Sequence, residues 1–255
     1  MLVSLLVGTV HADTPPLHQV PLQLAQGLSL PLHNQIQFEI EVSNVDKTLS
    51  SFDGWQHVVA SKGQHNVLQI RLSSTPQYTG PVTDRYLLNS FVVDFDEPEV
   101  NALVAQFKAE HSEAGWQLVD ITRFVSRYID NPTYVHNFNI ASKVAASRSG
   151  DCTEFAVLTA ALARALGIPA RVVLGTVVME EDDSVNSFGH AWVEAHHQNT
   201  WHTLDAALYP SASQTIFYLP SGVLENEGPG FTMSVINSIS QMPVKIANLG
   251  NVNAG

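Results

Sequence analysis

Apolar and polar residues alternate at Ile36, Phe38, Ile40 and Val42, and again at Leu68, Ile70 and Leu72. A period of two marks a strand with one buried face, and a turn-like Ser61-Lys62-Gly63-Gln64 lies between the two runs. Residues 17–92 therefore read as a small β-rich appendage. The texture changes near residue 93. Asp96 can cap a helix whose first turn is Glu97-Pro98-Glu99, where proline is tolerated and acids are favoured. Leu118, Ile121, Val125, Tyr128 and Ile129 predict a second amphipathic helix that stops before Asn131-Pro132. Leu158, Ala161, Leu162, Ala165 and Leu166 predict a third, burying one face, closed by Gly167 and then Pro169. Strands follow at 170–178, 190–196 and about 200–205. Helices first and antiparallel strands afterwards predict an α+β fold.

Composition narrows the partners. The chain has 255 residues, of which 45% are hydrophobic and 14% charged, and it contains no apolar run of 18 or more. No membrane span is expected in the mature chain. A formal net charge of −12 argues against nucleic acid or an anionic membrane as a partner. The first twelve residues stand apart. Met1–Val10 is apolar, and Val10-His11-Ala12 fits a small-residue cleavage site before Asp13-Thr14-Pro15-Pro16. This segment reads as a truncated signal peptide whose basic start lies upstream, and it predicts export to a periplasm or the extracellular space, with the cytoplasm as the alternative. The expected division is 1–12 leader, 13–92 β-rich region, 93–220 α+β domain and 221–255 C-terminal extension.

The single cysteine, Cys152, excludes an internal disulfide and a multi-thiolate metal site. It stands at the start of the third helix, where Asp151 and Glu154 have the spacing of a capping box with Asp in place of Ser or Thr. Unpaired N–H groups at a helix start stabilise a thiolate and can hold an oxyanion. The competing reading is a buried, inert thiol. A catalytic thiol needs a base, and the base needs an orienting group. In Gly189-His190-Ala191-Trp192-Val193-Glu194, alternation puts His190, Trp192 and Glu194 on one face; in Trp201-His202-Thr203-Leu204-Asp205 it groups Trp201, Thr203 and Asp205. A hairpin turning near His197-Gln198 would set His190 directly opposite Asp205, within hydrogen-bonding reach. A metal site built from Cys152, His190, His196, His197 and His202 is disfavoured, because His196 and His202 lack the parity of the His190/Asp205 face. No cofactor is expected.

Three motifs in order carry a resemblance. They are Arg148-Ser149-Gly150-Asp151-Cys152-Thr153-Glu154, continued by Leu162 to Arg171; Gly189 to Glu194; and Trp201-His202-Thr203-Leu204-Asp205-Ala206. Over roughly residues 93–220 the chain resembles the transglutaminase-like superfamily of papain-like thiol enzymes, in its bacterial, protease-like branch. The resemblance implies a cysteine helix packed on an antiparallel sheet, with Cys152 as nucleophile, His190 as base and then acid, and Asp205 orienting the imidazole. It implies an acyl-thioester on Cys152. Hydrolysis would make the protein a cysteine peptidase or amidase acting on a peptide or protein substrate; transfer to a lysine amine would make it a cross-linking transglutaminase. A non-catalytic peptide-binding or scaffold module is the reading of another class. Ala207 departs from the Thr of many relatives but touches no triad position. Asn137 and Asn139 are candidates for a second oxyanion donor, and Arg148 and Arg171 read as structural.

Overall fold

The computed structural model describes residues 18–111, 115–133, 138–209 and 214–252, so the apolar leader of the sequence reading lies outside the described residues. In chain order the elements are β1 Leu22–Leu24, β2 Gln35–Glu41, α1 Val45–Ser51, β3 Val58–Lys62, β4 Val67–Ser73, α2 Pro98–Glu110 and α3 Leu118–Tyr128. They continue with β5 Asn131–Pro132, α4 Ala141–Ser147, β6 Ser149–Gly150, α5 Cys152–Ala165, β7 Ala170–Glu181 and β8 Ser184–His197. The chain closes with β9 Thr200–Leu204, β10 Ile216–Val223, α6 Thr232–Ile239 and β11 Lys245–Asn251. The expected α+β fold is present. Three layers make it up.

The central layer is a four-stranded sheet ordered β10-β7-β8-β9, with each neighbouring pair antiparallel. Its two faces belong to different cores. Val172, Leu174, Ala191, Val193 and Ala195 pack with the helices, whereas Val173, Val177, Trp192, Phe217 and Leu219 pack with the N-terminal sheet. Both faces being covered explains why Val172-Val173-Leu174 reads as a continuous apolar run instead of an alternating one. It also corrects the picture of an appendage: the N-terminal region is the third layer of the molecule.

That third layer is a five-stranded sheet ordered β1-β11-β2-β4-β3. The alternation in β2 and β4 is seen as expected, with Ile36, Phe38, Ile40, Leu68, Ile70 and Leu72 buried. Strand β3 is a surprise of detail, because Ser61 and Lys62, read as turn, pair with Gln69 and Leu68. Strand β11 matters more. It inserts between β1 and β2, so the expected C-terminal extension, described here over 221–252, finishes β10 and completes the N-terminal sheet. Strand pairing depends on backbone groups that carry no local signature, so this long-range closure could not be read from β11 itself.

The helix layer follows the sequence closely at α3 and α5. Helix α2 starts one residue later than expected, with Glu97 as its N-cap and Pro98 in the first turn. Helix α5 buries every residue from Cys152 to Arg164 and not one face alone. It lies between β8 on one side and α2, α3 and α4 on the others, and small alanines allow that close enclosure.

A buried ion pair within the central sheet anchors the N-terminal layer to it. Arg171 Nη2 and Nε lie 2.6 and 3.0 Å from Glu194 Oε2, and Trp55 of the N-terminal layer donates its indole N–H to Glu194 Oε1 at 2.6 Å. The Arg171 guanidinium also sits 3.7 Å from the Tyr78 ring centroid and 4.5 Å from that of Trp201. Removing one partner leaves the other charged and buried, which costs about 3–5 kcal/mol. Arg171→Ala is therefore expected to lose that much stability in urea denaturation, and replacing Arg171 and Glu194 together by apolar residues to lose clearly less; equal losses would show that the pair is not the anchor.

Candidate active site

Cys152 is the first residue of α5, and the helix start is built as its sequence predicts. Asp151 is the N-cap and accepts from Thr153 N at 2.9 Å, while Glu154 Oε2 accepts from Asp151 N at 3.0 Å. Gly150 is required by this cap. A Cβ there would stand 2.1 Å from the Glu154 Cβ, so any larger residue would push the capping carboxylate away. Glu154 also reaches backwards along the chain. Its Oε1 accepts from Asn139 N at 2.7 Å, tying the preceding loop to the helix. Asn139 thus spends its N–H groups on Glu154, and Asn137 lies outside the described residues.

The thiol itself departs from expectation. Cys152 is 0% exposed, and burial pushes its pKa well up, reinforced by the charge of Asp151 and, more weakly, by Asp205 and Glu154. The backbone of Ala191 lies against the sulfur and works in the opposite direction. Burial therefore disfavours the thiolate form of this residue. The sulfur meets strand β8 at the residue next to His190.

His190 and Asp205 are brought together. Their Nε2–Oδ2 distance is 2.8 Å, and both are buried. The register that does this is not the one read from sequence. Glu194 faces Thr203 and His196 faces Trp201, because the hairpin turns at Gln198-Asn199, both with positive φ. The tip is one residue further on, which displaces the register by two positions and preserves every side chain's face. Asp205 then lies just past the end of β9 and reaches His190 diagonally, a span that side chains of this length cover. His196 packs edge-on against Trp201 and His202 turns to the His197 carbonyl. Among the described residues no three His, Cys, Asp or Glu side chains gather as a metal site would need.

Asp205 has more partners than the sequence suggested. Its Oδ2 also accepts from Tyr218 Oη at 3.0 Å, and its Oδ1 accepts from Leu208 N at 3.0 Å. Tyr218 comes from β10, a strand the sequence did not announce, so no local pattern pointed to it. Trp192 completes the surroundings, its ring nearly parallel to the imidazole at 18° and 6.5 Å. Gly175, opposite His190 on β7, leaves room for that indole: a Cβ there would stand 2.7 Å from Trp192 Cη2. With Nε2 committed to Asp205, Nδ1 is the ring nitrogen left for proton transfer. An open cleft of about 580 Å³ reaches Asp205 and Tyr218, walled by Leu118 and Val119 of α3 and by Leu208 and Tyr209.

A family model described as the transglutaminase-like superfamily matches residues 101–206, the stretch from within α2 to just past Asp205. These residues form a transglutaminase-like core. Among curated proteins none matches the chain significantly. Solved structures similar to it include a candidate cysteine protease from Cytophaga hutchinsonii, at 16% identity and a TM-score of 0.40, covering 73% of this chain and 76% of that one. The periplasmic domain of TgpA from Pseudomonas aeruginosa, bound to ethylmercury, is 15% identical with a TM-score of 0.46, covering 79% and 89%. Red sea bream transglutaminase is 11% identical with a TM-score of 0.32, covering 74% and 49%. The stretch matched by the family model is flanked in this chain by the N-terminal sheet and the β10–β11 segment.

Glu154 yields a pH prediction. Burial and the neighbouring Asp151 raise its pKa from 4.5 to about 7. A carboxyl raised in the folded state favours folding below its unfolded pKa and loses that contribution as pH climbs through the folded value. Stability is expected to decline by about 3 kcal/mol between roughly pH 4.5 and 7 through this group. Urea midpoints measured across that window should lose this slope in Glu154→Gln, whose overall stability is lower because one oxygen acceptor is gone; an unchanged slope would assign the effect to other groups.

Proposed function

We propose that the chain is a thiol-dependent amide-bond enzyme that forms an acyl-thioester on Cys152. The observation that carries this is the His190–Asp205 hydrogen bond on the strand against which the Cys152 sulfur rests. Cys152 Sγ attacks the carbonyl carbon of an amide while its proton passes to His190 Nδ1. Asp205 holds the opposite ring N–H and stabilises the imidazolium. The tetrahedral oxyanion is received by the backbone N–H of Cys152 itself, since the N–H groups of Asp151 and Thr153 are taken up by the cap. Its collapse breaks the C–N bond, and the leaving nitrogen takes the proton from His190. Water, deprotonated by His190, then cleaves the thioester and restores the thiol. Because burial disfavours a free thiolate, we assign proton removal to the attack step itself.

Hydrolysis of peptide amides is the outcome we assign, making the protein a cysteine peptidase or amidase. The cleft beside Asp205 and Tyr218 supports a chain-like substrate, since it is open and has both apolar walls and polar side chains. We further assign an exported, periplasmic or extracellular setting, on the apolar start and the Val10-His11-Ala12 pattern.

Two measurements test this. Iodoacetamide labelling of Cys152 near pH 7 is expected to fall at least about tenfold in His190→Ala. Labelling that is indifferent to His190 and follows an ordinary thiol's pH dependence would leave a non-catalytic binding module. Incubation with a mixed peptide library, read by mass spectrometry, should give cleaved products that drop by about 10²–10⁴-fold in His190→Ala and vanish in Cys152→Ala. Cross-linked products without cleavage would replace hydrolase by acyltransferase.

A further inference from the structure

The His190–Asp205 pair is held from a direction that the triad does not include. Asp205 Oδ2 accepts two hydrogen bonds, from His190 Nε2 at 2.8 Å and Tyr218 Oη at 3.0 Å. Tyr218 is itself fixed on two sides. Its ring packs edge-on against Trp192 at 5.1 Å, and Trp192 stacks on His190. Its backbone carbonyl lies 2.9 Å from Nε2 of His57, a buried residue of the N-terminal layer. A carbonyl only accepts, so His57 Nε2 carries a proton; its Nδ1 lies 3.1 Å from both the N and the carbonyl O of Gln77. One line of contacts therefore runs from Gln77 through His57 and Tyr218 to Asp205 and His190.

We propose that Tyr218 is a positioning residue for the His190–Asp205 pair, and that the N-terminal sheet holds it in place through His57. The proposal rests on the catalytic reading of the pair and gives the N-terminal layer a role beyond covering the sheet. The physical argument is the sharing of one oxygen. Two donors on Oδ2, with Leu208 N on Oδ1, block rotation of the carboxylate, so its bond to the imidazole keeps one direction. The Tyr218 hydroxyl also draws charge from that oxygen. It donates, because burial and the nearby Asp205 raise its pKa well above the ordinary phenol value.

The signature is the proton on His190 Nε2, observed by NMR. In the unmodified protein a hydrogen bond fixed from three sides should give a downfield, slowly exchanging signal. Tyr218→Phe keeps the ring and removes the hydroxyl. It concentrates the Oδ2 charge on the imidazole bond, and the signal is expected further downfield and exchanging at least about tenfold faster. A Tyr218 that served packing alone would lower the melting temperature and leave the signal where it was; that result, or no protected signal in the unmodified protein, overturns the proposal. If Tyr218→Phe does not fold, His57→Ala, which touches no triad group, should move the signal the same way, and His57→Gln, still able to donate to the Tyr218 carbonyl, should restore it. The labelling experiment on Cys152 is separate: loss of His190 dependence there removes the catalytic reading while the NMR signal still decides what Tyr218 does.

Discussion

Strand β8 has almost no solvent face along its central residues, and the rest of the molecule is arranged around that constraint. Its alternate residues are committed to different partners: Ala191, Val193 and Ala195 to the helix layer, Trp192 and Glu194 to the N-terminal layer. A strand buried on both sides must find cover twice. Helix α5 supplies one cover and brings Cys152 with it. The N-terminal sheet supplies the other and brings Trp55 to Glu194 and His57 to Tyr218. Cys152 and His190 are thus positioned by the same packing that stabilises the fold.

Enclosure also sets the electrostatics of the site. Two surrounding cores remove water, and that raises the thiol of Cys152 and the carboxyl of Glu154 despite a well-formed helix cap. A helix start is a favourable place for a thiolate only while some polarity remains nearby. Here three carboxylates lie within reach of the sulfur and burial is complete. The raised pKa of the thiol follows from those two facts.

How much was legible in the sequence follows from which interactions are local. The capping box at Asp151 and Glu154, the stop at Gly167 and the amphipathic α3 depend on residues a few positions apart, and each was legible. The face shared by His190 and Asp205 was legible too, because parity survives a register displaced by two. The displacement itself was not. It is set by Gln198 and Asn199 taking positive φ, one of several turns the segment could form. Helix α5 was read as half-buried, since periodicity reports a pattern and not how many neighbours will surround it.

By itself, then, the sequence determined most of the elements, their local caps and the face shared by His190 and Asp205, since these depend on periods of two and 3.6. Only the tertiary structure decided that β11 closes the N-terminal sheet, that Tyr218 shares the Asp205 oxygen, and that burial raises the Cys152 thiol. Each of these is a contact or a loss of solvent between residues far apart in the chain. No local pattern records such a distance, because the backbone groups and carboxylates involved are the same in every context until packing chooses their partners.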